Sequence, residues 1–237
     1  MPDDGLLLTE APGHELERLA AVTARLRGPG GCPWDAEQTH ASLVRYLLEE
    51  AAELTEAIES GDRAGMLEEL GDVLYQVLFH ADLAAATPGE AFDIDDVARV
   101  TSAKMIGRHP HVFGPQQAAD ADAVVVLWEE QKRTEKPERT SVLDGVPMTM
   151  PSLLLAEKLL GRAERVGLQV RPAEVSGGDA EQALMTPPAS EDVLGDQLLD
   201  LVIAASAQGL DAERALRGSL RRLTDRIRTA ESAPPAA

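Results

Sequence analysis

Between Ser42 and Ile58 the residues Leu43, Leu47, Leu54, Ala57 and Ile58 recur at helical spacing, and Glu50 stands in the middle of the stripe they form. That placement constrains the chain more than any other feature. A helix buries its apolar stripe, so Glu50 is carried towards the surface against which the helix packs. An ionised carboxylate taken out of water without a partner costs several kcal/mol, of order 3–5. Glu53, three residues on, flanks the same stripe, so two carboxylates point together and call for a cation between them.

A second pair follows. In Leu67-Glu-Glu-Leu-Gly-Asp-Val73, Glu69 and Asp72 are again three apart on one helical face. Leu67, Leu70, Leu74 and Leu78 mark the opposite side while Val73 and Phe79 border the acidic one, which predicts a helix buried on two sides. Gly71 would let a neighbouring helix approach closely. Ser60-Gly61 closes the first helix and Asp62 caps the second, so the two are expected to be antiparallel neighbours with Glu50 and Glu53 opposite Glu69 and Asp72. Four carboxylates in one pocket suit a hard divalent ion with oxygen ligands, Mg²⁺ first and Mn²⁺ as a substitute. Glu56, Glu59 and Glu68 read instead as solvated charges.

The remaining periodicity is also helical. Residues 14–27 form a helix that stops at Gly28-Pro-Gly-Gly31. In the loop Cys32-Pro-Trp-Asp35, Asp35 with Gln38 resembles a capping arrangement. Further helices are expected over about 93–107, 121–133 and 152–166, with a helical pair between 191 and 230. An irregular stretch occupies about 171–190, and the tail from Ser232 is expected to fray. Lys136-Pro137 to Pro151, rich in Pro, Thr and Ser, reads as a linker and divides the chain into domains 1–140 and 141–237. The fold class is all-α, helix packed on helix. Leu and Ala dominate, whereas the 237 residues hold only three Phe, two Tyr and two Trp.

A formal net charge of −19 repels polyanions, which argues against a nucleic-acid polymer as partner, but a small anion remains acceptable where metal supplies positive charge. No apolar run is long enough to span a bilayer, and Met-Pro-Asp-Asp-Gly does not resemble a signal peptide, so the expectation is a cytoplasmic protein without a membrane partner. Cys32, the single cysteine, can form no internal disulfide. Glu37-x-x-His40 is one Glu-x-x-His without a second, which does not suffice for a di-iron carboxylate bundle.

Four segments together resemble the MazG family in order and spacing: Gly30-Gly-Cys-Pro-Trp-Asp-Ala-Glu-Gln-Thr39, Leu48-Glu-Glu-Ala-Ala-Glu53, Glu68-Glu-Leu-Gly-Asp72 and Arg108-His-Pro-His-Val-Phe113. The resemblance implies a helical bundle of the all-α nucleoside triphosphate pyrophosphohydrolase type, with Mg²⁺ held by Glu50, Glu53, Glu69 and Asp72. It also implies hydrolysis of NTP or dNTP to the monophosphate and pyrophosphate, in the manner of a nucleotide-pool housekeeping enzyme, and a homodimer. Glu49 and Glu53 are alternative general bases. Lys104 and Arg108, four apart on one helix face, are candidate phosphate contacts; Trp128 and Lys132 repeat that geometry. Trp34 either stacks on a base or plugs its loop against the bundle, the commoner role for a lone Trp. His109 and His111 flank a proline and are assigned structural roles.

The second half resembles a second MazG domain in Lys158 to Leu168, Leu194-Gly-Asp196 and Ala215 to Arg228, but it is degenerate. No E-x-x-E helix precedes Leu194, and Val193 occupies the place that Glu69 has in the first half. Asp192 and Asp196 alone do not hold two metals. Two readings compete with the pyrophosphohydrolase: a non-catalytic acidic interaction module, and an enzyme restricted to one dNTP or to phosphoribosyl-ATP.

Overall fold

The computed structural model describes residues 15–135, 138–170 and 187–231, and among these there is no strand. The chain divides into two compact units, Met1–Arg133 and Thr134–Ala237. The linker composition places the division later, after residue 140.

In the first unit, α1 (Glu15–Arg27) has glutamates in its first turn and arginines in its last, which complements the helix dipole. The chain turns at Gly28–Gly31. A Cβ at Gly31 would lie 2.1 Å from the Leu26 carbonyl oxygen, so no other residue fits there. A short helix, α2 (Pro33–Glu37), begins with proline where no amide hydrogen is needed. Its cap is Cys32, with no side-chain hydrogen bond, so the expected Asp35–Gln38 cap does not form. Asp35 is buried, and the Gln38 side chain donates to the Trp34 carbonyl. The reciprocal capping box lies four residues further, between Thr39 and Ser42, and opens α3 (His40–Ser60) slightly ahead of the expected start.

Gly61, at φ 74°, ends α3 in the left-handed conformation, and the Asp62 carboxylate accepts from the amides of Ala64 and Gly65 to start α4 (Arg63–Ala86). So short a connection forces α3 and α4 into an antiparallel hairpin, which is the most extensive helix contact in the unit. Leu43 of α3 and Phe79 and Leu83 of α4 form its buried core, with Tyr46 and Tyr75 packed against them. The Arg27 side chain ties α1 to this core through an ion pair with Asp82, its guanidinium lying 5.4 Å from the centre of the Phe79 ring.

At the same end, His40 and His80 meet with their Nδ1 atoms 2.7 Å apart, and His40 Nε2 lies 2.9 Å from Glu90. The ring centroids are 4.9 Å apart with planes 7° from parallel. The short nitrogen contact makes this a hydrogen bond between ring edges.

The other end of α4 is not buried on two sides. Leu67 is 76% exposed and Leu70 49%, because the apolar side of the first turns of α4 is left uncovered by the described residues. A Cβ at Gly71 would likewise meet nothing within 4 Å. Three helices follow: α5 (Ile94–Arg108), opened by a capping box between Asp93 and Asp96, then α6 (Pro110–Phe113) and α7 (Ala121–Thr134).

In the second unit, α8 (Ser152–Arg165), α9 (Glu191–Ala207) and α10 (Ala212–Glu231) pack on one another. The expected linker contains an ordered turn in which the Asp144 carboxylate accepts from the Thr140 and Ser141 amides, and those bonds hold its carboxyl below the usual range. Leu143, Leu159, Leu160 and Leu199 help to line an apolar cavity of about 440 Å³. Residues 171–186 and the tail from Ser232 lie outside the described residues, and so do the expectations made for them.

Candidate metal and nucleotide site

Glu50 on α3 and Glu69 and Asp72 on α4 come together where the hairpin helices face each other. Each offers a carboxylate oxygen, and these oxygens lie within 4.8 Å of one another. Among the described residues, no other set of three or more His, Cys, Asp or Glu side chains converges in this way. Glu53, one turn after Glu50, falls outside that closest trio. It still acts on both half-buried members, raising Glu50 through its charge and Glu69 through both charge and a side-chain hydrogen bond.

The electrostatics are those of a site short of positive charge. Partial burial, followed by the charges of Asp72, Glu53, Glu69 and Glu49, lifts the Glu50 carboxyl above its ordinary range. Burial and then Glu53, Asp72 and Glu68 do the same to Glu69. Glu69 Oε2 is buried and has no hydrogen-bond partner. An acceptor left in this state costs about 1–3 kcal/mol unless a donor or a cation meets it. The all-oxygen donor set, the mutual repulsion and the orphaned Glu69 oxygen together fit a hard divalent cation.

The other residues singled out by sequence fall into two groups. Trp34 is 49% exposed, one side open and the other against the bundle. Its ring meets Tyr46 edge-on, with centroids 5.6 Å apart. Tyr46 precedes Glu50 by one turn of α3, so Trp34 stands beside the helix face that carries the carboxylate. Glu49 is exposed on the same helix.

The second group belongs to α5 and α7. The Arg108 guanidinium lies 5.1 Å from the Trp128 ring centre, and His109 meets the same ring edge-on at 5.2 Å. Lys132 is half-buried one turn beyond Trp128, whereas Lys104, one turn before Arg108, is exposed. His109 Nδ1 lies 2.6 Å from the Met105 carbonyl oxygen, a bond that fixes its ring at the end of α5. Arg108 and Trp128 are thus joined as a pair, and Lys104 extends from the same helix without a described partner in the cluster.

Gln76 escaped the sequence reading. It is 7% exposed, with Oε1 unpartnered, and follows Asp72 by one turn of α4. The available signal was an amide interrupting the run Val73-Leu-Tyr75 and Val77-Leu-Phe79 on the acidic face. The His40–His80 contact, between residues forty apart in sequence, left no local signal at all.

A family profile described as MazG nucleotide pyrophosphohydrolase domain matches residues 38–113, which include both arms of the hairpin. An uncharacterized 26.1 kDa protein of Streptomyces cacaoi is 44% identical over 98% of this chain and 89% of its own length. The nucleoside triphosphate pyrophosphohydrolase/pyrophosphatase MazG of Thermotoga maritima is 37% identical over 92% of this chain and 86% of its own. The nucleoside triphosphate pyrophosphohydrolase of Escherichia coli K12 is 34% identical, over 92% and 88%. Likeness across nearly the full length of such relatives, with the paired carboxylates inside the matched segment, makes this chain a member of the MazG nucleotide pyrophosphohydrolase family.

Proposed function

We propose that the chain is a Mg²⁺-dependent nucleoside triphosphate pyrophosphohydrolase whose chemistry resides in the first unit. The observation that carries this reading is the convergence of Glu50, Glu69 and Asp72 with a buried, unpartnered Glu69 oxygen. Family membership supplies the reaction class, and the names of the Thermotoga and Escherichia relatives point to nucleoside triphosphates.

Glu50, Glu69 and Asp72 would hold the metal, with Glu53 completing the set from the neighbouring turn. When bound, Mg²⁺ supplies positive charge against the triphosphate and makes the attacking water more acidic. The protein's own part is to receive the proton and to place the two ends of the nucleotide. Water oxygen forms a bond to phosphorus, the anhydride bond between the α and β phosphates breaks, and pyrophosphate leaves. Glu53 or Glu49 takes the proton that the water gives up. Trp34 offers an exposed aromatic face to the base. Arg108 and Lys132 contact phosphate, Trp128 holds the Arg108 guanidinium, and Lys104 adds charge at the rim.

The second unit acts as a degenerate companion domain. Asp192 and Asp196 on α9 have Val193 in place of a further acid, and the described residues of that unit supply no converging carboxylates. A homodimer accounts for the exposed Leu48, Leu67 and Leu70 near the site, since an apolar face of this kind is commonly covered by a symmetric copy. No single described helix is long and apolar enough to cross a membrane, and we place the protein in the cytoplasm.

The test is to incubate purified protein with each NTP and dNTP, with and without Mg²⁺, and to assay pyrophosphate and orthophosphate separately. Pyrophosphate with monophosphate, formed only with metal, is the expected result. Orthophosphate alone, or metal-independent turnover, would contradict the proposal.

A further inference from the structure

Gln76 lies about 6 Å beyond Asp72 along the axis of α4 and within about 40° of both Asp72 and Glu69 in helical projection. It is therefore on the face that carries the carboxylates, and it is 7% exposed. On its far side begins the Leu43–Phe79 core, against which Tyr46 and Tyr75 pack. Gln76 thus lies between the carboxylates and His80, which follows it by one turn on the same helix face, where the proposed site borders the hairpin core.

Two facts set it apart from a structural glutamine. A buried amide in a folded protein is normally hydrogen-bonded, because an acceptor withdrawn from water and left unmet weakens the fold. The Gln76 Oε1 is unmet. An apolar side chain of equal length would not carry that cost. Stability does not explain the residue, and buried acceptors with no internal donor are concentrated where a ligand completes them.

We propose that Gln76 is a ligand-contacting residue of this site, its Oε1 accepting a hydrogen bond from an O–H donor that enters with the nucleotide. The donor is either a hydroxyl of the sugar or a water ordered with it. The assignment rests on the pyrophosphohydrolase reading, because that reading places a nucleotide against Glu69 and Asp72.

Gln76→Met keeps the length of the side chain and removes the acceptor. Binding of the α,β-methylene analogues of ATP, 2′-dATP and 3′-dATP, which resist cleavage, is measured by calorimetry in Mg²⁺, together with the melting midpoint of each ligand-free protein. The variant is expected to melt at or above the wild-type temperature and to bind the ATP analogue roughly five- to tenfold more weakly, the loss of one hydrogen bond. A loss that disappears for an analogue lacking one hydroxyl assigns the donor to the sugar; an equal loss for all three assigns it to water. Gln76→Leu repeats the measurement should the methionine variant fold poorly.

Unchanged affinity for all three analogues would overturn the assignment, as would weaker binding accompanied by a lowered melting midpoint, which marks a structural role. Wild-type protein that binds none of the three contradicts the pyrophosphohydrolase reading and the assignment together. Wild-type binding that neither substitution weakens contradicts the assignment alone.

Discussion

The two ends of the α3–α4 hairpin are built from the same kind of helix and put to opposite uses. Away from the turn, Leu43, Phe79, Leu83 and Ala84 are buried, and the polar groups present, His40 with His80 and Arg27 with Asp82, are paired. Nearer the turn, Leu48, Leu67 and Leu70 are exposed, and the half-buried Glu50 and Glu69 repel each other. One end stabilises the fold; the other spends part of that stability on concentrated charge. Natural sites commonly show this division, since a group held ready for a ligand is poorly satisfied without it.

The comparison breaks most visibly at the core end. Phe79→Ala, at a residue 1% exposed, should cost about 3–5 kcal/mol, read as a lower midpoint in urea unfolding. At the acidic end, Glu50→Gln with Glu53→Gln should lower turnover of any accepted nucleotide by at least about a hundredfold. The same double variant, free of metal, should be no less stable than wild type, because it removes repulsion. Retained activity would sink the carboxylate assignment. Loss of activity matched by loss of stability would erase the distinction between the two ends.

Much of the hairpin was legible in the sequence, because a helical stripe, a closing Gly61 and a capping Asp62 are all local signals. Glu50 within that stripe was legible for the same reason. The exposure of Leu67 and Leu70 was not, since periodicity identifies an apolar face without saying which molecule covers it. Nor was the start of α3: Asp35 and Gln38 have cap spacing, but Pro33 draws Asp35 into a short helix and leaves the cap to Thr39. Trp34 was assigned a choice of roles, and its partner Tyr46, twelve residues on, was not legible from the loop alone. Arg108 and Trp128 were each singled out beside a lysine four residues away, yet their own contact joins two helices and only the fold displays it.

Smaller effects sharpen the contrast. Thr39→Ala removes the side-chain bond to the Ser42 amide and should cost about 1 kcal/mol, again from urea unfolding, with little change in turnover because the cap lies nearly three turns from Glu50.

Acidification should act oppositely on the two ends. Burial and then the neighbouring His40 push His80 below its ordinary value, so the folded state favours the neutral ring. That contribution is present above the unfolded value near 6.5 and is lost as pH falls below it. Charged groups on the packed elements include Glu90, which bonds to His40, the Arg27–Asp82 pair across α1 and α4, Arg45 on α3, and Asp93 with Asp96 at the head of α5. His80→Asn keeps a hydrogen-bonding amide group near the position of Nδ1 and cannot titrate. Its unfolding free energy should fall less steeply than wild type between pH 7.5 and 5.5, and parallel curves would remove His80 as the cause. The raised carboxyls of Glu50 and Glu69 give the reverse sign: their stabilisation is full below the usual carboxylate range and is lost as pH rises through their folded values.

The central claim is that the acidic end is a cation site, and the melting midpoint against Mg²⁺ concentration, for wild type and Glu69→Gln, tests it most directly. Wild type should melt progressively higher as Mg²⁺ is added, while Glu69→Gln should start at or above the metal-free wild-type midpoint and respond little. A wild-type midpoint indifferent to Mg²⁺, or an equal rise in both proteins, would contradict it.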